Sequence, residues 1–168
     1  MRVRGYSSPI EYLQEKGYLA KAIFRTIDYD ISQVNFALFN QQSADEFIND
    51  TLAKDINRNN AIIKYIQEHF ISNPHSKNIV FSCSLEHCQA LELWLNGLGI
   101  VAKSISGNTD TIVRKNYIDR YVNGDIQVLI NYGVLTAGFD APCTDAVFIT
   151  RPTNSLVQYL QMAGRAMR

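Results

Sequence analysis

From Asn78 onward, short apolar β-branched runs alternate with longer stretches of helical period, and this alternation limits the possible folds more than any other feature of the chain. Four runs have strand length: 79–82, 101–105, 126–130 and 146–150. Between the first two, Ser84 is placed to cap a helix whose stripe is Leu85, Cys88, Leu91, Leu95 and Leu98, and Gly97 with Gly99 ends it. Between the next two, 109–122 sets Val113, Tyr117 and Tyr121 on one face before Gly124 stops the helix. A helix between successive strands is the pattern of βα units: right-handed crossovers carry the chain back to a parallel neighbour and bury the sheet. The expectation is an α/β fold with an open parallel sheet. With 168 residues and 46% hydrophobic content, the chain can bury one core.

A third helix is expected to open near Asn154 or Ser155, because Pro152 disfavours helix at Arg151, and to run to Arg168. A chain ending inside a helix suggests a cut within a longer protein. The first 77 residues read less clearly: a short amphipathic helix over 10–16, strands over 21–28 and 34–39, and one or two helices over 44–70. In that last stretch Ile62, Ile66 and either His69 or Phe70 face inward, and Asn57, Asn59 and Asn60 mark a break.

Charge excludes one class of protein. The 16 basic and 16 acidic residues leave no net excess, so any hold on nucleic acid must come from placed groups rather than bulk attraction. No run of 18 apolar residues exists and the start carries no apolar signal core, which predicts no membrane association and an intracellular protein, cytoplasmic or, if eukaryotic, nuclear. Cys83, Cys88 and Cys143 with His69, His75 and His87 show no ligand spacing, so neither a disulfide framework nor a metal site is expected.

Two segments carry chemistry. In 158–168, Gln161, Arg165 and Arg168 would fall within roughly 60° of arc on one helix, aiming two guanidiniums and an amide at one point. Arginine stays charged and its planar fork matches phosphate oxygens, so this trio suits charge developing on a transferring phosphoryl group. Gly164, which costs about 1 kcal/mol inside a helix, fits a close approach by a backbone or a nucleotide. A solvated helix face with two arginines is the plain alternative. In 134–142, a loop just beyond the third strand, Thr136 and nearby N–H groups suit a phosphate, Gly138 admits a close approach, and Asp140 suits a ribose hydroxyl or an Asx-turn.

These two motifs, in this order, resemble motifs V and VI of superfamily two helicases. Residues 79–84 look like motif IV, and Ser106-Gly107 with Arg114 look like the intervening S-G…R element. The D-x-V-x-x-x-R-P-T-x-S run from Asp145 to Ser155 is similar to the branch holding DNA repair helicases and restriction-enzyme motors. Gln161 stands where DEAD-box RNA helicases carry His-Arg, which argues against that subfamily.

The resemblance implies the second RecA-like motor domain of a P-loop NTPase, with helices on both faces of the sheet. It divides the chain into a helicase C-terminal domain over 78–168 and an N-terminal segment over 1–77. That segment would hold the end of the first motor domain, or a linker from it, plus the first helices of this one. Gln161, Arg165 and Arg168 would be catalytic, Gly138, Asp140 and Gly164 would face ATP with Mg²⁺, and Ser82, Ser84, Ser106, Gly107 and Thr136 would line a nucleic-acid track, DNA before RNA. The chain has no G-x-x-x-x-G-K-[ST] loop and no D-E-x-[DH] box, so its ATP site would need the first motor domain as partner, and alone it would be inactive. An inert interaction module of the same shape is the rival, separated by the presence of that lysine loop in the whole protein. A flavodoxin-like regulator is disfavoured because Ser82-Cys83-Ser84 lacks glycines after the first strand.

Overall fold

The computed structural model describes residues 9–20, 22–30, 32, 34, 43–134 and 142–167. Four strands, β1 (Asn78–Phe81), β2 (Ala102–Ser106), β3 (Val128–Tyr132) and β4 (Ala146–Ile149), form one parallel sheet in the order β2-β3-β1-β4. Each lies within two residues of its expected place. Helices α4 (Leu85–Gly97) and α5 (Thr111–Asn123) separate the first three strands in sequence, and residues 133–145 connect β3 to β4, so each strand can run parallel to its neighbours.

Both faces are covered. Ile62, Ile66 and Phe70 of α3 (Ile56–Ser72) and Cys88, Leu91 and Leu95 of α4 pack on Val80, Val128, Ile130 and Phe148. On the other face Tyr121 of α5 and Met162 of α6 (Leu156–Ala163) pack on Ile79, Phe81, Ile105 and Leu129. Leu91 and Leu95 are fully buried, so truncating either to Ala would cost about 2–5 kcal/mol. Of the expected α4 stripe, Leu98 lies past the helix end and is exposed.

Capping explains most boundaries. Ser84 accepts the His87 N–H, Asp110 accepts those of Ile112 and Val113, and Ser155 accepts that of Gln158. Gly124 ends α5 in the left-handed region at φ 91, where a side chain would be strained.

The amino-terminal third departs from expectation in three places. Helix α1 (Pro9–Glu15) forms, but 22–28 makes no ladder and is not a strand. Only Val34 of the second expected strand falls among the described residues, where it is a buried bend. The break before α3 comes at Asp55, which caps it through Arg58, and not at Asn57 to Asn60. Asn59 is buried and donates to Ala53 O at 2.8 Å, so it ties the helix to the chain before it. Ahead of the break lie α2 (Ala44–Glu46), opened by a Ser43/Glu46 capping box, and a π-helical turn over Phe47–Leu52. Phe70, not His69, is the buried one of that pair.

Candidate functional site

The sheet's carboxyl edge gathers the ends of β1, β2 and β3 with the first turns of α4 and α5, which is where ligands bind in open α/β sheets. At the end of β1, Ser82 is fully buried and its hydroxyl donates to Ser84 O at 3.1 Å. Ser84 is also buried, its oxygen spent on the α4 cap. Both hydroxyls build the loop, and the surface nearby is the amino-terminal turn of a 13-residue helix, whose leading N–H groups favour an anion.

At the end of β2, the Ser106 oxygen accepts the Asn108 N–H at 3.3 Å, and its own N–H donates to Thr109 Oγ1 at 2.9 Å. One Arg114 nitrogen reaches Ser106 O at 3.0 Å, Thr109 O at 3.1 Å and Gly107 O at 3.5 Å. The arginine of the S-G…R element thus clasps three carbonyls of the turn. Gly107 is exposed, and a side chain there would meet no described residue within 4 Å. The α4 start and this turn share a depression of about 230 Å³ lined by Leu85, Gln89, Ser104, Ser106, Asn108 and Thr109.

Thr136, Gly138 and Asp140 fall in 135–141, outside the described residues, as does Arg168. Gln161 is exposed on α6 and Arg165 is half-buried. The expected continuous helix stops at Ala163, and Gly164–Ala166 is a 3₁₀ turn. Tightening from 3.6 to 3.0 residues per turn rotates Arg165 away from the α-helical arc drawn with Gln161, though the two remain neighbours at the helix end. Gly164 sits at φ −62, and no described residue comes within 4 Å of where a Cβ would be. Leu156, Val157 and Leu160 of α6 stand largely exposed beside Gln161.

Sequence reading missed a buried cluster between the ends of β1 and β4. Thr150 O accepts from Arg58 Nη2 and from the Cys83 thiol, and Cys83 N–H donates to His87 Nδ1 at 3.2 Å. Burial, reinforced by the Arg58 charge, pulls His87 down to about 4, so it is neutral. With Nδ1 accepting, the ring proton resides on Nε2, which is buried without a partner among the described residues. Burial pushes the neighbouring Cys88 thiol up to about 11, leaving it unreactive. The only sequence signal for this cluster was an arginine in the first turn of an otherwise amphipathic helix.

Comparison with known proteins agrees with this geometry. A protein of Saccharomyces cerevisiae assigned as the ATP-dependent helicase IRC3 is 29% identical over 164 residues, 95% of this chain but 23% of that protein. The Pyrococcus furiosus Hef helicase domain superposes with a TM-score of 0.56 at 27% identity, covering 65% of this chain and 23% of that one. The C-terminal domain of S. cerevisiae Dbp5 gives 0.56 at 23% identity, covering 64% of each chain, and shows the fold. The chain therefore spans about a quarter of the yeast relative it matches along nearly its whole length. Residues 58–168 match the family described as the helicase conserved C-terminal domain, and with a RecA-like parallel sheet beneath that match the chain belongs to this family.

Proposed function

We propose that this chain is the carboxyl-terminal motor half of an ATP-dependent helicase or translocase acting on DNA inside the cell, forming one wall of a nucleotide cleft whose other wall is a first motor domain. The observation that carries this reading is the placement of exposed Gln161 and the Arg165 turn at the end of α6, beside an exposed apolar strip with no carboxylate in it. A charged donor fork next to a surface that favours covering fits a partner domain closing over bound nucleotide. ATP with Mg²⁺ would supply the phosphoryl group and its counter-charge. Arg165, with Arg168 beyond it, would hold oxygen atoms of that group as charge builds, Gln161 would orient them, and Gly138, Asp140 and Gly164 would let the nucleotide approach. The turn at Gly107 and the leading turn of α4 would carry strand phosphates, with Thr136 completing the row. Backbone-directed contacts suit a motor, which must release each nucleotide regardless of its base.

On this reading 78–168 is the motor domain and 1–77 leads in from the first motor domain while carrying the first helices of this one, of which α3 packs in the core. The test is Arg165→Ala in the two-domain protein. Turnover should fall about 10³- to 10⁵-fold with nucleotide binding and melting little changed, and Lys should not restore it. Normal turnover in the Ala variants of both Arg165 and Arg168 would remove the finger assignment.

A further inference from the structure

The ends of β1 and β4 meet at one residue, Thr150. Phe81 O, the last carbonyl of β1, accepts both the Thr150 N–H at 2.9 Å and the Thr150 hydroxyl at 2.8 Å. Thr150 O in turn accepts from Arg58 Nη2 and from the Cys83 thiol, the latter at 3.1 Å. Arg58 reaches further, because its Nη1 donates to Leu52 O at 3.3 Å and so ties the π-helical turn to the same point. The cluster is buried, with Arg58 at 7%, Thr150 at 4%, and Cys83 and His87 at 2% exposure. None of these bonds can be exchanged for water without opening the core.

Thr150 stands between two surfaces. On one side, Cys83 follows β1 and its N–H is held by the His87 ring at 3.2 Å; His87 lies in the first turn of α4, which Ser84 caps. That turn borders the proposed track for strand phosphates. On the other side, Arg151-Pro152-Thr153-Asn154 leads from Thr150 to the Ser155 cap of α6, at whose far end lie Gln161 and the Arg165 turn. This lead is stiff. Pro152 fixes one backbone angle, and the Thr153 hydroxyl accepts the Ser155 N–H at 3.2 Å while donating to Gln158 Oε1 at 2.8 Å. A shift of the α4 turn that draws on Cys83 is therefore passed through one carbonyl to α6, with few soft torsions between them to absorb it.

Arg58 is the costly member of the cluster. A buried guanidinium is expensive unless paired, and no carboxylate forms an ion pair with it among the described residues. The acid nearest in sequence, the Asp55 cap, spends Oδ1 on the Arg58 N–H. The side chain holds neutral carbonyls instead, and its planar fork can keep two of them in fixed relation where a lysine could not. Two further buried donors, Arg151 Nε and His87 Nε2, have no partner among the described residues, and the charge of both arginines reaches the Cys83 thiol. A carbonyl set among surplus donors has more than one way of being satisfied, which is what a joint with two settings needs. We infer that the Thr150 carbonyl is the joint coupling the nucleic-acid wall of this domain to its nucleotide wall, with Arg58, Cys83 and His87 as the positioning residues that make the two move together. The inference rests on the motor reading and deepens it. None of the three touches either ligand on that reading; they act through α4 and α6.

The test measures the coupling itself in the two-domain protein. Affinity for a single-stranded DNA oligonucleotide is read with and without a non-hydrolysable ATP analogue and Mg²⁺, and the two should differ by about 5- to 150-fold in the wild type. Arg58→Lys keeps the charge and loses the fork. It should bring that ratio below about twofold while affinity for each ligand alone stays within about twofold of wild type. Cys83→Ala, the milder change, should lower the ratio about threefold, and the double variant should do no more than Arg58→Lys because both donors share one acceptor. Tyr121→Phe, on the other face of the sheet, is the control: its melting temperature falls and its ratio holds. A wild-type ratio in Arg58→Lys or, should that variant not fold, in Cys83→Ala would overturn the inference and leave the motor reading standing. So would an equal loss of coupling in Tyr121→Phe, which would make the effect one of stability alone. Absence of any linkage between the two ligands in the wild type would remove both.

Discussion

On the β2 side of the sheet, α4 closes the edge with its own side chains; on the β4 side, the helices stand back and leave a trough. An exposed strand edge invites association, and proteins usually blunt it with charge or cover it. Here the cover on β2 is local, since Glu92 and Asn96 lie one turn apart and reach alternate residues of the next strand. Strand alternation has a repeat of about 6.6 Å and an α-turn one of 5.4 Å, near enough for one helix to shadow two ladder positions. The lesson is that a parallel edge can be completed by the helix of its own βα unit.

The sharpest way to break this contrast is to unseal β2. Glu92→Ala with Asn96→Ala strips the N–H and C=O of buried Ala102 and the N–H and hydroxyl of Ser104 of their partners, and should cost about 3–5 kcal/mol in urea denaturation. It should also make the chain self-associate, visible by size-exclusion chromatography. A cost under about 1 kcal/mol would mean that water serves that edge equally well.

Acid separates the two sides next. Beside β4, His87 is held near 4 against an ordinary 6.5, so the folded state binds fewer protons than the unfolded state between these values. Stability is complete above 6.5 and falls as pH drops through that window, by up to roughly 3 kcal/mol, and His87→Gln should flatten the profile there. Beside β2, burial works to raise the Glu92 carboxyl, but bonds from the Ser104 hydroxyl, Lys103 and the Ser104 amide outweigh it and hold the group below its usual range. Its contribution is present above the ordinary 4.5 and disappears below it, a lower window. A single transition shared by wild type and both variants would contradict the assignment of separate windows to the two edges.

The smallest effect concerns the loop leading into β4. The Tyr121 hydroxyl meets Thr144 Oγ1 at 3.0 Å in a buried pair, so Tyr121→Phe should cost about 1 kcal/mol by thermal melting. A much larger loss would show that this pair, more than the sheet, positions β4.

What could be read from sequence follows from what periodicity encodes. β-Branched runs and helical stripes report which face is buried, and so located all four strands and the bodies of α4 and α5. They do not report strand edges, since an edge is a property of neighbours in space. This is why Glu92 and Asn96 looked like ordinary polar residues of α4 and why 21–28 looked like a strand although no described residue pairs with 22–28. The α3 start was misplaced because three asparagines resemble a cap cluster, whereas Asp55 makes the bond. In the site, the arginine and glutamine of the last motif were visible by type and spacing, but the 3₁₀ turn was not, because Gly164 fits an α-helix interior equally poorly. The roles of Ser82 and Ser84 in building their loop, and of Arg114 in clasping the next, depend on burial and bond direction that no motif states.

One bond bears on how the domain would carry load. Ala20 N–H donates to Met167 O at 3.2 Å, joining positions at opposite ends of the sequence, and Gln14 reaches Ala20 O from the preceding helix. Tension entering at Ala20 and leaving at Met167 would act on adjacent points, peeling this contact open before any pull reached the parallel ladder. The ladder between β1 and its neighbours would be spared, and the domain would transmit force as a clip that opens at its mouth while its body stays rigid.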